Sequence, residues 1–252
     1  MGKSIAVAGK GGTGKTTISG LLIRNLADNN KVPILALDAD PNSNLNEVLG
    51  VEVKSTVGML REEFKKNAPR MAKGIYKDQL VEMNIQEALV ENKKYDLLVM
   101  GRGEGPGCYC YANSLFRKYI EMLQDNYNFI VMDNEAGMEH LSRRTTQDID
   151  YLLIVSDPSP RGIMTAARIR DLAMDLELKV KDIFLIVNRV KDKLDKRLEG
   201  QIEDNNLKLL SVLNYDDDIF EMDISSGSVF SLPASSSSLG KSEDILKQLD
   251  II

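Results

Sequence analysis

Three observations predict an α/β chain, a mostly parallel twisted sheet with helices on both faces. Short apolar runs recur at residues 5–8, 32–37, 95–100, 128–133, 151–156, 183–187 and 207–213, the lengths and composition of buried strands. Amphipathic stretches alternate with them. Ile18, Leu21, Leu22, Leu26 and Ala27 recur at helical spacing over 17–29, as do Ile163, Ala166, Ala167, Ile169 and Leu172 over 161–175. Third, several runs end in polar residues, as strands do when their C-terminal ends carry a ligand site. No internal repeat is visible, and residues 1–252 read as one domain.

The first run leads into Gly9-Lys10-Gly11-Gly12-Thr13-Gly14-Lys15-Thr16, followed by a helical pattern. The spacing G-x-x-x-x-G-K-T at a strand-to-helix junction is that of a phosphate-binding loop. Its glycines take backbone angles closed to other residues, so successive N–H groups converge on phosphate oxygens. Lys15 reaches the β- and γ-phosphates, Thr16 offers a hydroxyl to Mg²⁺, and the next helix turns its positive end to the anion. Gly9, Gly11, Gly12, Thr13, Gly14, Lys15, Thr16 and Thr17 are the expected nucleotide-binding residues, for ATP and ADP.

Composition narrows the partners. A formal charge of −6 argues against a chain that coats DNA or docks on anionic lipid. No apolar run reaches the ~18 residues that span a bilayer, and no cleavage site follows the N-terminal stretch, so the expected location is the cytoplasm. The two cysteines, Cys108 and Cys110, stand two positions apart, a spacing suited to metal or redox chemistry rather than a disulfide framework.

The second strand ends in Asp38-Ala39-Asp40-Pro41-Asn42-Ser43-Asn44. Carboxylates here lie on the side of the phosphate loop, where doubly wound sheets bind ligands, and Asp40 is a candidate functional residue. Helix capping is the alternative for Ser43 and Asn44. Residues 128–133 end in Asp133, as a strand does whose acid holds Mg²⁺ through water, and a buried capping acid is the alternative. Residues 183–187 deliver Asn188 and Arg189 to the same edge, where an amide can read an adenine edge through donor and acceptor; a turn-favouring Asn is the alternative. Residues 51–77 read as a peripheral insertion, and 85–91 as a short helical stretch. His140 opens a polar helix over 139–147 and is left outside the site. Serines 235–238 read as a flexible polar hinge before a closing helix, 239–252.

Four glycines and a proline fall within residues 101–107, just before the cysteines. They forbid regular structure and place two thiols on a shaped loop ahead of an amphipathic helix over 114–123. Thiolates suit Ni²⁺, Zn²⁺ or an Fe–S cluster, and a closed site takes four donors. Two copies of a C-x-C pair on a two-fold axis supply four sulfurs. Small packing residues are the alternative reading.

The string Lys10-Gly11-Gly12-Thr13-Gly14-Lys15-Thr16 resembles the deviant Walker A loop of the class that includes MinD and ParA proteins, arsenite-pump ATPases and the nitrogenase iron protein. The resemblance implies a P-loop NTPase in which Lys10 acts in trans, on the phosphates held by a partner subunit. It also implies that Asp40 orients the attacking water and Asn188 contacts the base, and it places Glu135, Ala136 and Gly137 in switch II. Joined to Gly105-Pro106-Gly107-Cys108-Tyr109-Cys110 and Asp133-Asn134-Glu135-Ala136-Gly137, the loop looks like the CooC/AcsF group, ATPases that mature nickel enzymes. That implies a nucleotide-dependent homodimer holding Ni²⁺, or Zn²⁺, on Cys108 and Cys110 of both subunits. The expected client is apo carbon monoxide dehydrogenase or acetyl-CoA synthase, with no nucleic acid and no membrane as partner. A MinD/ParA-like positioning switch and an Fe–S electron-transfer ATPase are the alternatives.

Overall fold

The computed structural model describes residues 2–67, 84–102, 109–136, 148–176 and 178–252. Among them eight strands form one sheet: β1 (Lys3–Gly9), β2 (Ile34–Asp38), β3 (Leu89–Glu91), β4 (Asp96–Val99), β5 (Phe129–Asp133), β6 (Asp148–Ser156), β7 (Lys179–Val190) and β8 (Leu209–Asn214). Their order is β3-β4-β2-β5-β1-β6-β7-β8. All pairs are parallel except the edge pair of β3 with β4. From β1 one side runs β6, β7 and β8 in chain order while the other carries β5, β2, β4 and β3, so the order reverses at β1 and the crevice where a doubly wound sheet binds ligands opens at its C-terminal end.

Alternation along each strand feeds two cores. Ala6 and Ala8 of β1 and Leu35 and Leu37 of β2 share a core with Phe116 and Tyr119 of α4 (Tyr109–Leu123), Ile163 and Ala166 of α5 (Pro160–Asp175) and Leu198 and Ile202 of α6 (Lys196–Asp204). Ile5, Val7, Ile34 and Ala36 face the opposite layer, α1 (Lys15–Asp28) and α8 (Ser237–Gln248). At roughly 1.5–3 kcal/mol for each fully buried Leu or Ile, the row Ile18, Leu21, Leu22, Ile23 and Leu26 of α1 outweighs the modest helix propensity of its β-branched members. Buried polar bonds fix how α8 lies on α1. Asn25 Nδ2 donates to Ser242 Oγ at 2.6 Å and Leu239 O at 3.1 Å, and Arg24 Nη1 donates to Leu232 O at 2.9 Å.

Four expectations change. The serine run is no flexible hinge: Ser236 caps α8, accepting from Leu239 N–H at 3.3 Å. Ser236 Oγ, Ser237 Oγ and Ser238 N–H all donate to Asp216 Oδ2 at 2.7–3.0 Å. Asp216 in turn caps α7 (Asp217–Ile224), a helix absent from the sequence reading, through Asp218 N–H. Residues 51–77 are not wholly peripheral, because they follow α2 (Leu45–Leu49) and contain α3 (Val57–Asn67), whose Val57 and Leu60 join the core; 68–77 lie outside the described residues. The stretch 85–91 ends as strand β3. The strand expected at 183–187 extends over twelve residues, Lys179–Val190, its charged start alternating with partly buried positions.

Candidate nucleotide site

Gly9 ends β1 opposite Val155 of β6 with φ +148°, and a Cβ there would lie 2.2 Å from Val155 O. Only glycine allows the chain to leave the sheet this closely. The loop turns through left-handed Gly12 (φ +77°) and Gly14 (φ +91°) into α1 at Lys15. It is braced internally: Thr13 Oγ1 donates to Lys10 O at 2.9 Å, and Lys15 Nζ to the same carbonyl at 3.3 Å. Lys15 is buried, which pulls its ammonium below the ordinary lysine range against the pull of Asp133, Asp40 and Glu135. Lys10 is exposed on the rim, its ammonium without a bond among the described residues. Thr16 and Thr17 are half-buried at the start of α1.

The acids gather because parallel register puts Asp38 of β2 directly beside Asp133 of β5. Ser19 Oγ donates to Asp133 Oδ1 at 3.2 Å, and Thr16 bonds the same carboxylate. Burial pushes Asp133 up to about 6, opposed by the Thr16 bond, Lys15 and Ser19. Asp38 is fully buried and clamps the next turn of chain: Asp40 N–H donates to its Oδ1 and Leu45 N–H to its Oδ2, both at 3.0 Å. Asp40 itself is half-buried, its Oδ1 accepting Asn42 N–H at 2.8 Å. Asn44 precedes α2 without a side-chain capping bond.

Burial pushes the Asp38 carboxyl up to about 7, against the two N–H bonds and with Asp133 beside it adding to the rise. The folded chain therefore keeps a proton that the unfolded chain sheds near 3.8. This contribution to stability is fully present below that value and is lost as pH rises through about 7. Between pH 5 and pH 7.5 the nucleotide-free wild type should lose more melting temperature than Asp38→Asn; equal losses would remove Asp38 as the titrating group.

On the far side of the loop a cavity of about 300 Å³ opens between α1, the end of β7 and α7, with apolar walls from Ile18, Leu21, Leu213 and Ile219 and aromatic ones from Tyr215 and Phe220. Asn188 and Arg189 line it and also hold the phosphate loop. Asn188 Nδ2 donates to Thr13 O at 2.9 Å, and Arg189 Nη1 to Gly12 O at 2.7 Å. A side chain at Gly14 would strike Asn188 Nδ2 at 2.5 Å.

The structure thus brings the loop, Asp40, Asp133, Asn188 and Arg189 to one edge. Asp38 and Ser19 join them, though the sequence reading gave neither a role; the D-x-D spacing at a strand end was the available signal for Asp38. Glu135 and Ala136 follow β5, and a Cβ on Gly11 would sit 3.5 Å from that of Ala136. Gly137, His140 and Cys108 lie outside the described residues, as does the side chain of Cys110 in the first turn of α4. Among the described residues no three His, Cys, Asp or Glu side chains group closely enough to hold a metal. None of the described helices is long and apolar enough to cross a membrane.

A family model described as the CobQ/CobB/MinD/ParA nucleotide binding domain matches residues 4–229. The chain belongs to this family. An ATP-binding protein of Methanocaldococcus jannaschii, of uncharacterized function, is 45% identical over 97% of each chain. The carbon monoxide dehydrogenase accessory protein CooC of Rhodospirillum rubrum is 34% identical over 76% of each chain. The cell division ATPase MinD of Pyrococcus furiosus, 21% identical, superposes with a TM-score of 0.72 over 99% of both chains. MinD of Pyrococcus horikoshii, solved with Mg-ADP, gives 0.71 at 20% identity, covering 99% of this chain and 96% of its own. These two establish the P-loop NTPase fold, and with the family match this CobQ/CobB/MinD/ParA chain is an ATPase of the MinD/ParA class.

Proposed function

We propose that this ATPase is a nucleotide-switched nickel metallochaperone: two subunits close around ATP, form a metal site from Cys108 and Cys110 of each, and deliver Ni²⁺ to apo carbon monoxide dehydrogenase or acetyl-CoA synthase. The observation that carries it is the C-x-C pair in a chain 34% identical to a carbon monoxide dehydrogenase accessory protein. Topology agrees. α4 links the C-terminal end of β4 to the start of β5, so its first turn, with Cys110, lies toward the nucleotide edge.

The residues fit a magnesium nucleotide. Asp133 is a buried carboxylate with hydroxyls beside it, hard oxygen donors of the kind Mg²⁺ takes. Thr16 and Asp133 would hold that ion, which when bound neutralises phosphate charge. The loop N–H groups and Lys15 bind and orient the phosphates of ATP, and Lys10 of the partner subunit adds charge stabilisation. Asp40 positions water for in-line attack, and Asp38 keeps Asp40 in place through its backbone. The cavity beyond Gly14 takes the base.

The test is anaerobic Ni²⁺ titration with and without ATP, beside a Cys108→Ala/Cys110→Ala variant. One Ni²⁺ per dimer, sensitive to nucleotide and lost in the variant, is expected. No nickel in either protein would return the chain to a plain ATPase switch of the MinD/ParA kind, and visible absorbance after anaerobic purification would point to an Fe–S cluster.

A further inference from the structure

The geometry points to Arg189 as a positioning residue that orients the phosphate loop from the base side, an inference that rests on the loop binding ATP. In the β7–β8 ladder Val187 pairs with Val212 and Val190 with Asn214, so Asn188 and Arg189 together oppose Leu213 alone. This is a bulge, and Arg189 within it has φ +61°, the left-handed region that glycine enters without cost and other side chains rarely adopt. An arginine kept in such a position is strained locally, and strain of this kind collects at functional sites.

The bulge turns two neighbouring side chains onto two neighbouring carbonyls. Arg189 Nη1 reaches Gly12 O and Asn188 Nδ2 reaches Thr13 O, while Asn188 Oδ1 accepts Arg189 N–H at 2.9 Å and so fixes which way the amide faces. In a trans peptide the N–H points opposite to the C=O. Tethering the carbonyls of Gly12 and Thr13 toward the bulge therefore aims the N–H groups of Thr13 and Gly14 away from it. Free to rotate, these peptides would have to be ordered by each arriving phosphate; held by Arg189, they are ordered beforehand. Arg189 and Asn188 also line the base cavity, so the bulge mechanically joins the base end of the site to the phosphate end.

Arg189→Gly separates this role from a structural one, since it relieves the left-handed backbone and keeps the N–H bond to Asn188 Oδ1 while removing the side chain that reaches Gly12 O. Melting of the nucleotide-free protein and calorimetric binding of ADP and of inorganic pyrophosphate are measured for wild type, Arg189→Gly and Arg189→Lys. Expected are a glycine variant that melts no lower than wild type yet binds both ADP and pyrophosphate about tenfold more weakly, as for loss of one charged hydrogen bond, and partial recovery with lysine. Unchanged ADP and pyrophosphate affinity overturns the inference. So does a loss for ADP with pyrophosphate unaffected, which would make Arg189 a direct contact of the nucleoside. A wild type that binds neither ATP nor ADP would instead sink the nucleotide reading itself.

Discussion

Asp40→Asn should leave ATP bound and unhydrolysed. The carboxamide keeps an oxygen for Asn42 N–H, and the Asp40 N–H bond to Asp38 does not involve the side chain, so the turn keeps its shape. What disappears is the negative charge and the acceptor that would orient water. Loss of a positioned base lowers turnover by roughly 10²–10⁴-fold. Affinity for ATP should hold or rise, because a carboxylate near the γ-phosphate repels it. Phosphate release and the dissociation constant of a fluorescent ATP analogue separate the two effects. Turnover near wild type would remove Asp40 from the chemistry, and lost ATP binding would make it a structural acid.

Much of this edge was legible because each part has a local cause. The phosphate loop is written in eight consecutive residues, and apolar strands ending in Asp or Asn mark the sheet's C-terminal side. Observed strand ends fall close to the expected ones for β2, β4 and β5. What could not be read depends on partners distant in sequence. Asp38 looks like any strand-end acid until the β2–β5 register sets it beside Asp133 and Leu45 N–H comes back to it. The serine run has the composition of a linker, and only Asp216, some twenty residues earlier in the chain, turns it into a cap. Residues 179–182, Lys-Val-Lys-Asp, carry too much charge to suggest a strand, yet β6 pairs with them in register. The bulge at Arg189 has no signature in the sequence, since the left-handed position carries arginine where a glycine would have marked it.

Lys10 requires a different experiment, because a single chain does not explain it. Its carbonyl is used twice within the loop, while its ammonium stands exposed, without a bond among the described residues and on the rim where a second subunit would meet the nucleotide. Lys10→Ala should therefore keep ADP affinity and lose turnover by about 10³-fold, the scale of a charge supplied in trans to a transferring phosphoryl group. Mixing Lys10→Ala with Asp40→Asn decides between cis and trans action. If Lys10 serves the partner's nucleotide and Asp40 its own, a heterodimer of the two contains one site with both residues intact and one with neither. Random pairing makes half of the dimers heterodimers, so two dead proteins should recover about a quarter of wild-type turnover on mixing. If Lys10 acts on its own nucleotide, every site in every pairing lacks one of the two residues and the mixture stays inactive. Recovery also requires subunit exchange, and should appear only when ATP is present during mixing if nucleotide brings the subunits together.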